Sequence, residues 1–218
     1  MKKLPLIFTA CLFLSGCIGY YPVRVNGYLD TYSNKKNITP GSSFFIEEDS
    51  SAKNPIFESE VKSKIAKLLV QNSYTLTDYG TSGFLIRFNY AISPGKTVSE
   101  VRPVYSPGGT EIIDTHTSTG KTKTSYVSLP GYTTYVPYKF TVYTSSLTLY
   151  VFDGDSVRKD KGSKPIWIGE ASITGQNQDL RQVINYLLTA VFEDFGKDTG
   201  KSIIVNISEK DAVLKSIE

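Results

Sequence analysis

The sequence predicts an α+β fold: an antiparallel sheet with two amphipathic helices packed on one face, plus a Tyr/Thr-rich β-arm or loop insertion. Three observations carry that prediction. Phe84, Ile86, Phe88, Tyr90 and Ile92 alternate strictly, with Arg87 and Asn89 between them, the period of a strand with one face buried. Two segments, Phe57 to Leu69 and Leu180 to Phe195, repeat their apolar residues at helical spacing instead. Between them, residues 94–138 lose both periods and fill with Thr, Ser, Gly, Tyr and Pro.

Length and composition set the bounds. The chain has 218 residues, 40% of them hydrophobic, enough for one domain with a packed core. Lys and Arg number 24 against 21 Asp and Glu, a balance that argues against a nucleic-acid partner. A single histidine and two cysteines leave little for metal or thiol chemistry, so no cofactor and no metal site is expected.

Met1-Lys2-Lys3 precedes the apolar run Leu4 to Leu14, the pattern of a secretory signal peptide and too short to span a bilayer. The run ends in Leu14-Ser15-Gly16-Cys17, which resembles the lipobox of bacterial lipoproteins. That resemblance implies cleavage after residue 16 and attachment of lipid to Cys17. Each buried methylene of an acyl chain contributes about 0.8 kcal/mol, so several chains on one residue amount to a lasting membrane anchor. Ile18 follows where an aspartate would favour retention at the inner membrane. The implied address is the bacterial cell envelope, at the outer membrane facing the periplasm. Cleavage would remove Cys11 and leave no thiol pair for an intramolecular disulfide.

From there the chain divides into a lipidated tether and first strand (17–40), a single α+β domain (41–207) and a tail (208–218). Val23, Val25 and Leu29 alternate weakly, and Asn34-Lys35-Lys36-Asn37 reads as a turn. Phe44, Phe45 and Ile46 suit a short buried strand. Asn54-Pro55 opens the first helix, with asparagine as cap and proline at a position that needs no N–H. Glu58 with Lys62 and Glu60 with Lys64 lie one turn apart on its wet side. Tyr74 to Tyr79 reads as a connecting strand, followed by the alternating strand Phe84 to Ile92. Within the insertion, Val98 to Tyr105 and Thr124 to Leu129 could be strands of a long hairpin. Phe140 to Phe152 resumes alternation, Asp153 to Lys164 reads as a charged turn, and Pro165 to Thr174 as its partner strand. The second helix runs from about Asp179 to Phe195 and stops at Gly196. Ser202 to Ile207 closes the sheet, and the tail reads as frayed.

Few residues promise chemistry. Asp114 and His116 would share a strand face, as an orienting acid and its imidazole do, but no nucleophile elbow accompanies them. Asp153, Asp155 and Asp160 have part of a calcium-loop spacing, yet Arg158, Lys159 and Lys161 would repel the ion. Asp153 and Glu170 qualify as a hydrolase pair by residue type alone. None of these is assigned a catalytic role. The tyrosines of the insertion and its exit, Tyr126, Tyr132, Tyr135, Tyr138 and Tyr143, form a possible interaction surface, because tyrosine joins a large apolar body to a polar tip.

Several short motifs together resemble the envelope lipoproteins of domain-of-unknown-function family 4136. They are the Phe-Phe strand, the helix exit Asn72-Ser73-Tyr74, and the strand Gly83-Phe84-Leu85-Ile86-Arg87-Phe88. Leu147-Thr148-Leu149-Tyr150-Val151-Phe152-Asp153 and Ile166-Trp167-Ile168-Gly169-Glu170-Ala171 follow in order before the closing helix. The long Tyr/Thr segment departs from that pattern. The family implies no catalytic residues, and Trp167 reads as a packing residue. The expectation is a non-enzymatic, lipid-anchored protein of structural or interaction role, held to the membrane by its lipid and contacting an envelope protein, peptidoglycan or lipid. Alternatives are an auxiliary lipoprotein of a lipid-transport system with a hydrophobic groove, and an envelope hydrolase.

Overall fold

The computed structural model describes residues 19–30, 37–116, 118–160 and 162–217. The signal-peptide segment, Cys17 and most of the Asn34–Asn37 turn lie outside the described residues. The elements are β1 (Tyr20–Leu29), β2 (Ser43–Ile46), α1 (Pro55–Gln71), β3 (Thr75–Leu76), β4 (Phe84–Ile92), β5 (Lys96–Ser106), β6 (Gly109–His116), β7 (Thr122–Leu129), β8 (Tyr132–Asp153), α2 (Gly154–Lys159), β9 (Trp167–Gly175), α3 (Leu180–Glu193), β10 (Ile203–Ser208) and α4 (Ala212–Ser216). The protein is α+β, and it divides into two compact units. The first comprises residues up to Ile92 together with Ser145–Ile173 and Asp179–Glu218; the second comprises Ser93–Thr144 and Thr174–Gln178.

In the first unit the strands lie in the order β10-β1-β9-β8-β4-β2-β3. The sheet is mostly antiparallel, with one difference from expectation: β2 runs parallel to both β3 and β4. The cause is α1, which carries the chain over the sheet between β2 and β3, so the chain re-enters in the same direction. Pro22 sits in β1 without breaking the ladder. It faces Asn206 of β10, and the pairing with β9 begins only at Arg24, so the missing N–H has no partner to lose.

Alternation places Val23 and Val25 of β1, Phe44 and Ile46 of β2, Phe84, Ile86 and Phe88 of β4, and Leu147, Leu149 and Val151 of β8 in one core. The helices fill it from above with Val61, Ile65, Leu68 and Leu69 of α1 and Ile184, Leu187, Leu188 and Val191 of α3. Asn54 caps α1 by accepting from Phe57 N at 3.1 Å. The other face of β4 is covered as well. Leu85, Phe152 and Val157 form a second buried cluster, with Val157 supplied by α2. The charged turn expected at Asp153–Lys164 is therefore a helix over its first half. Asp153 opens it by accepting from Ser156 N at 3.0 Å and Ser156 Oγ at 2.6 Å.

The tail is also ordered rather than frayed. Leu214 and Ile217 are buried, and the largely buried Lys64 donates to Ile217 O at 2.9 Å. Lys64 and Arg181 both reach Glu60, at 3.4 and 3.2 Å, which joins α1 to α3 at the surface.

Two backbone features can be tested. Helix α1 ends with Tyr74 N donating to Leu69 O at 3.0 Å, and Ser73 takes φ = 65° to allow it. Serine carries a Cβ into the left-handed region where glycine is unstrained. Ser73→Gly therefore raises stability by about 0.5–1 kcal/mol, read as an increase in the urea midpoint. At Gly169 the constraint is space, since a Cβ there would lie 2.2 Å from the Trp167 ring. Gly169→Ala lowers stability by about 2–3 kcal/mol in the same assay, because the indole has nowhere to shift.

Candidate functional site

The second unit is where the sequence placed its interaction surface, and the structure shows why those side chains are not in a core. β5 pairs antiparallel with β8 from Lys96–Val142 to Ser106–Tyr132. β6 pairs with β7 from Gly109–Leu129 to His116–Thr122. The register is the same in both ladders, so the two form one long hairpin interrupted by Pro107-Gly108 on one strand and Pro130-Gly131 on the other. Neither proline has an N–H to give. At Gly108 a Cβ would meet Leu129 O at 2.1 Å, so the strands cross there backbone to backbone. Ser93 closes the base of the hairpin: its N–H donates to Thr144 O at 2.8 Å, and its Oγ accepts from Thr144 N at 2.9 Å. The expected insertion 94–138 is thus a two-stranded ribbon. Its return strand is part of β8, which runs 22 residues and continues into the sheet of the first unit.

Opposed residues in an antiparallel ladder share a face, and this splits the tyrosines. Tyr132 and Tyr138 lie on one face, with Val104, Arg102 and Phe140 as their neighbours by register. The Arg102 guanidinium stands 3.8 Å above the Tyr138 ring, and Tyr138 stacks on Phe140 at 5.6 Å. Tyr135 lies on the opposite face, diagonal to Tyr105. Tyr126 faces Ile112 across the outer ladder. Tyr143 differs from the rest, because its ring packs over Gly95, where a Cβ would come within 2.8 Å. The sequence reading missed Tyr105, although period-two alternation through Val101 and Pro103 marks it.

Four of these rings are open to solvent: Tyr105 67%, Tyr126 72%, Tyr132 62% and Tyr135 72% exposed. Val101, Val104, Ile112, Ile113, Leu129 and Val136 are exposed with them. Pro103 and Pro137 also lie in the ladder. A proline fits there only with its nitrogen turned away from the partner strand, so each outer edge of the ribbon lacks a donor.

The other sequence candidates have structural partners. His116 Nδ1 is 3.1 Å from Thr122 Oγ1, its cross-strand neighbour, on an exposed stretch. Asp155 pairs with Arg158 at 2.7 Å inside α2, and Asp153 caps that helix, so the calcium-loop spacing is used in a helical turn. Glu170 accepts from Asn26 Nδ2 at 3.5 Å. Among the described residues no group of three or more His, Cys, Asp or Glu is placed to hold a metal ion. Trp167 is 1% exposed and donates from Nε1 to Lys197 O at 2.8 Å. A surface cleft of about 600 Å³ is lined by Phe45, Glu47, Glu48, Lys62 and Arg87 among others. Its charges are paired across it, Lys62 with Glu48 at 3.4 Å and Arg87 with Glu47.

Three tyrosines of the first unit have raised pKa values; in Tyr74 the cause is burial. A hydrogen bond to Glu209, with Tyr186 close by, pushes Tyr21 up to about 12. Burial, then a hydrogen bond to Glu58, pushes Tyr90 up to about 12. In all three, the folded protein favours the neutral phenol, and Tyr21 and Tyr90 do so most strongly. Their stabilisation is complete below pH 10 and is lost as pH rises through about 12. An absorbance titration at alkaline pH therefore shows three late-ionising tyrosines among the 15, Tyr21 and Tyr90 the latest, and Glu209→Gln moves Tyr21 down.

Comparison with known proteins adds little. No family model matches the chain, and no curated protein matches it. A crystal structure of a PDZ domain protein from Parabacteroides distasonis ATCC 8503 aligns with 88% of this chain and 40% of its own, at 12% identity and a TM-score of 0.44. The chain spans less than half of that protein, and at this similarity neither fold nor role transfers. Among the described residues no helix is long and apolar enough to cross a membrane.

Proposed function

We propose that this is a lipid-anchored protein of the bacterial cell envelope, non-enzymatic, which uses its tyrosine ribbon to contact another envelope component. The motif order shared with domain-of-unknown-function family 4136 is part of the same reading. The observation that carries it is the ribbon: two strands with large apolar and aromatic side chains on both faces and no layer covering either face within its unit. A two-stranded ribbon alone in water is marginal, and exposed apolar patches of this kind mark contact surfaces. The lipobox supports the anchor, and its outer-membrane, periplasm-facing address follows from Ile18 after Cys17. The partner is an envelope protein, peptidoglycan or lipid.

Two experiments test the two halves of this reading. Cys17→Ala releases the protein from membranes on cell fractionation; retention in the membrane fraction would overturn the anchor. A photo-crosslinking residue at Tyr135, in intact cells, yields a discrete adduct with the partner. In that background Tyr126→Ser with Tyr132→Ser lowers the yield at least about ten-fold, since buried aromatic anchors contribute about 1–2 kcal/mol each to an interface. An unchanged yield would remove the ribbon from the contact.

A further inference from the structure

The sequence assigns residues 17–40 to a tether and first strand, and β1 begins as early as Tyr20. Only Ile18 and Gly19 separate Cys17 from a strand that pairs with β10 on one side and β9 on the other. Three residues span at most about 10 Å when fully extended. The polar headgroup layer of one leaflet is itself about 5–8 Å deep. A lipid on Cys17 therefore leaves no slack between the bilayer and the folded unit.

We infer that the N-terminal end of β1 is a membrane-docking surface whose occupant is the lipid headgroup layer. This rests on the anchor proposed at Cys17. The end of the sheet that must lie at the surface is set by the ladder, which places Tyr20 opposite Ser208 and brings the β10 exit beside β1. Glu209 N donates to Gly19 O at 3.4 Å, so the first described residue is tied down as well. The residues offered there suit an interface between apolar and wet phases. Tyr20 is 63% exposed, and the Tyr21 ring packs, tilted by 35°, at 4.3 Å against Tyr186 of α3. The Tyr21 hydroxyl donates to Glu209 at 2.9 Å, and Lys210 is exposed beside it. Tyrosines gather at headgroup depth because the ring is apolar and the hydroxyl is not, and a lysine can reach lipid phosphate from the same level. The opposite end of β1 is held away. Tyr28 points to the same face as Tyr20 and is 52% exposed, but eight residues of strand place it about 26 Å further along.

The test uses the full lipidated chain in phosphatidylcholine vesicles with brominated acyl chains, which quench tryptophan only at short range. Tyr20→Trp and Tyr28→Trp are compared with the parent. Trp167, the chain's one tryptophan, is buried and supplies the same background to each. The added fluorescence of Tyr20→Trp is quenched at least about two-fold more than that of Tyr28→Trp. A spacer of about 20 Gly and Ser residues inserted between Ile18 and Gly19 abolishes the difference, because such a chain reaches about 25 Å. Flotation with the vesicles and equal quenching at the two positions overturns the docking surface and leaves the anchor standing. A difference that survives the spacer overturns the short connection as its cause. Failure to float with the vesicles overturns the anchor and the docking surface together.

Discussion

The first unit is organised around one side chain, Phe195, at the point where the chain leaves α3. Its ring meets Trp167 at 4.9 Å, Phe192 at 4.7 Å, Tyr74 at 5.6 Å and Phe44 at 5.9 Å. Those partners come from β9, α3, the exit of α1 and β2, so a single cluster ties together elements distant in sequence. The contact is possible because Trp167 lies flat over Gly169. Gly27, directly across the ladder from Gly169, admits the carbonyl of Lys197, where a Cβ would come within 2.5 Å. That carbonyl takes the indole N–H, and Gly27 O in turn accepts from Thr199 N at 3.0 Å. Removing either glycine displaces the indole or the loop, and with it the packing of α3 on the sheet. Buried aromatic groups of this size dominate a core's energy and tolerate little displacement.

The second unit obeys different physics. It has no such hub, because a two-stranded ribbon has two faces and no second layer. Its local order comes from the ladder, from Arg102 over Tyr138, and from Tyr143 seated on Gly95. What remains is exposed aromatic surface, and the functional reading proposed for this protein grows from that contrast between a filled core and an uncovered ribbon.

Where the sequence was legible, the signal was local. Asn54-Pro55 and the apolar period behind it placed the start of α1 to within a residue, since capping and periodicity act over a single turn. The same held for the start of α3, whose end falls two residues short of the expected Phe195, and for both ends of β4. The failures were equally physical. α2 and α4 are 6 and 5 residues long, too short for any period to register. The second face of β4, with Arg87 and Asn89, read as wet although Leu85 is buried on it, because alternation reports two faces and not what covers each. β8 hid its first half because Tyr132 to Lys139 gained its pairing from residues about 30 positions earlier. The tyrosines were found as a group, but whether Tyr135 shares a face with Tyr132 depends on register alone.

By itself, then, the sequence determined what each short stretch prefers: two one-sided helices, alternating strands, and a tyrosine-rich stretch without a core of its own. These are decided by side-chain chemistry within a turn or a few strand residues. Tertiary structure alone decided the parallel seat of β2, the burial of the tail under Lys64, the Gly27–Gly169 notch beneath Trp167, and the split of the tyrosines between two faces. Each of those depends on which distant segment lies opposite, and long-range pairing is set by the global competition for buried area, which no local pattern records.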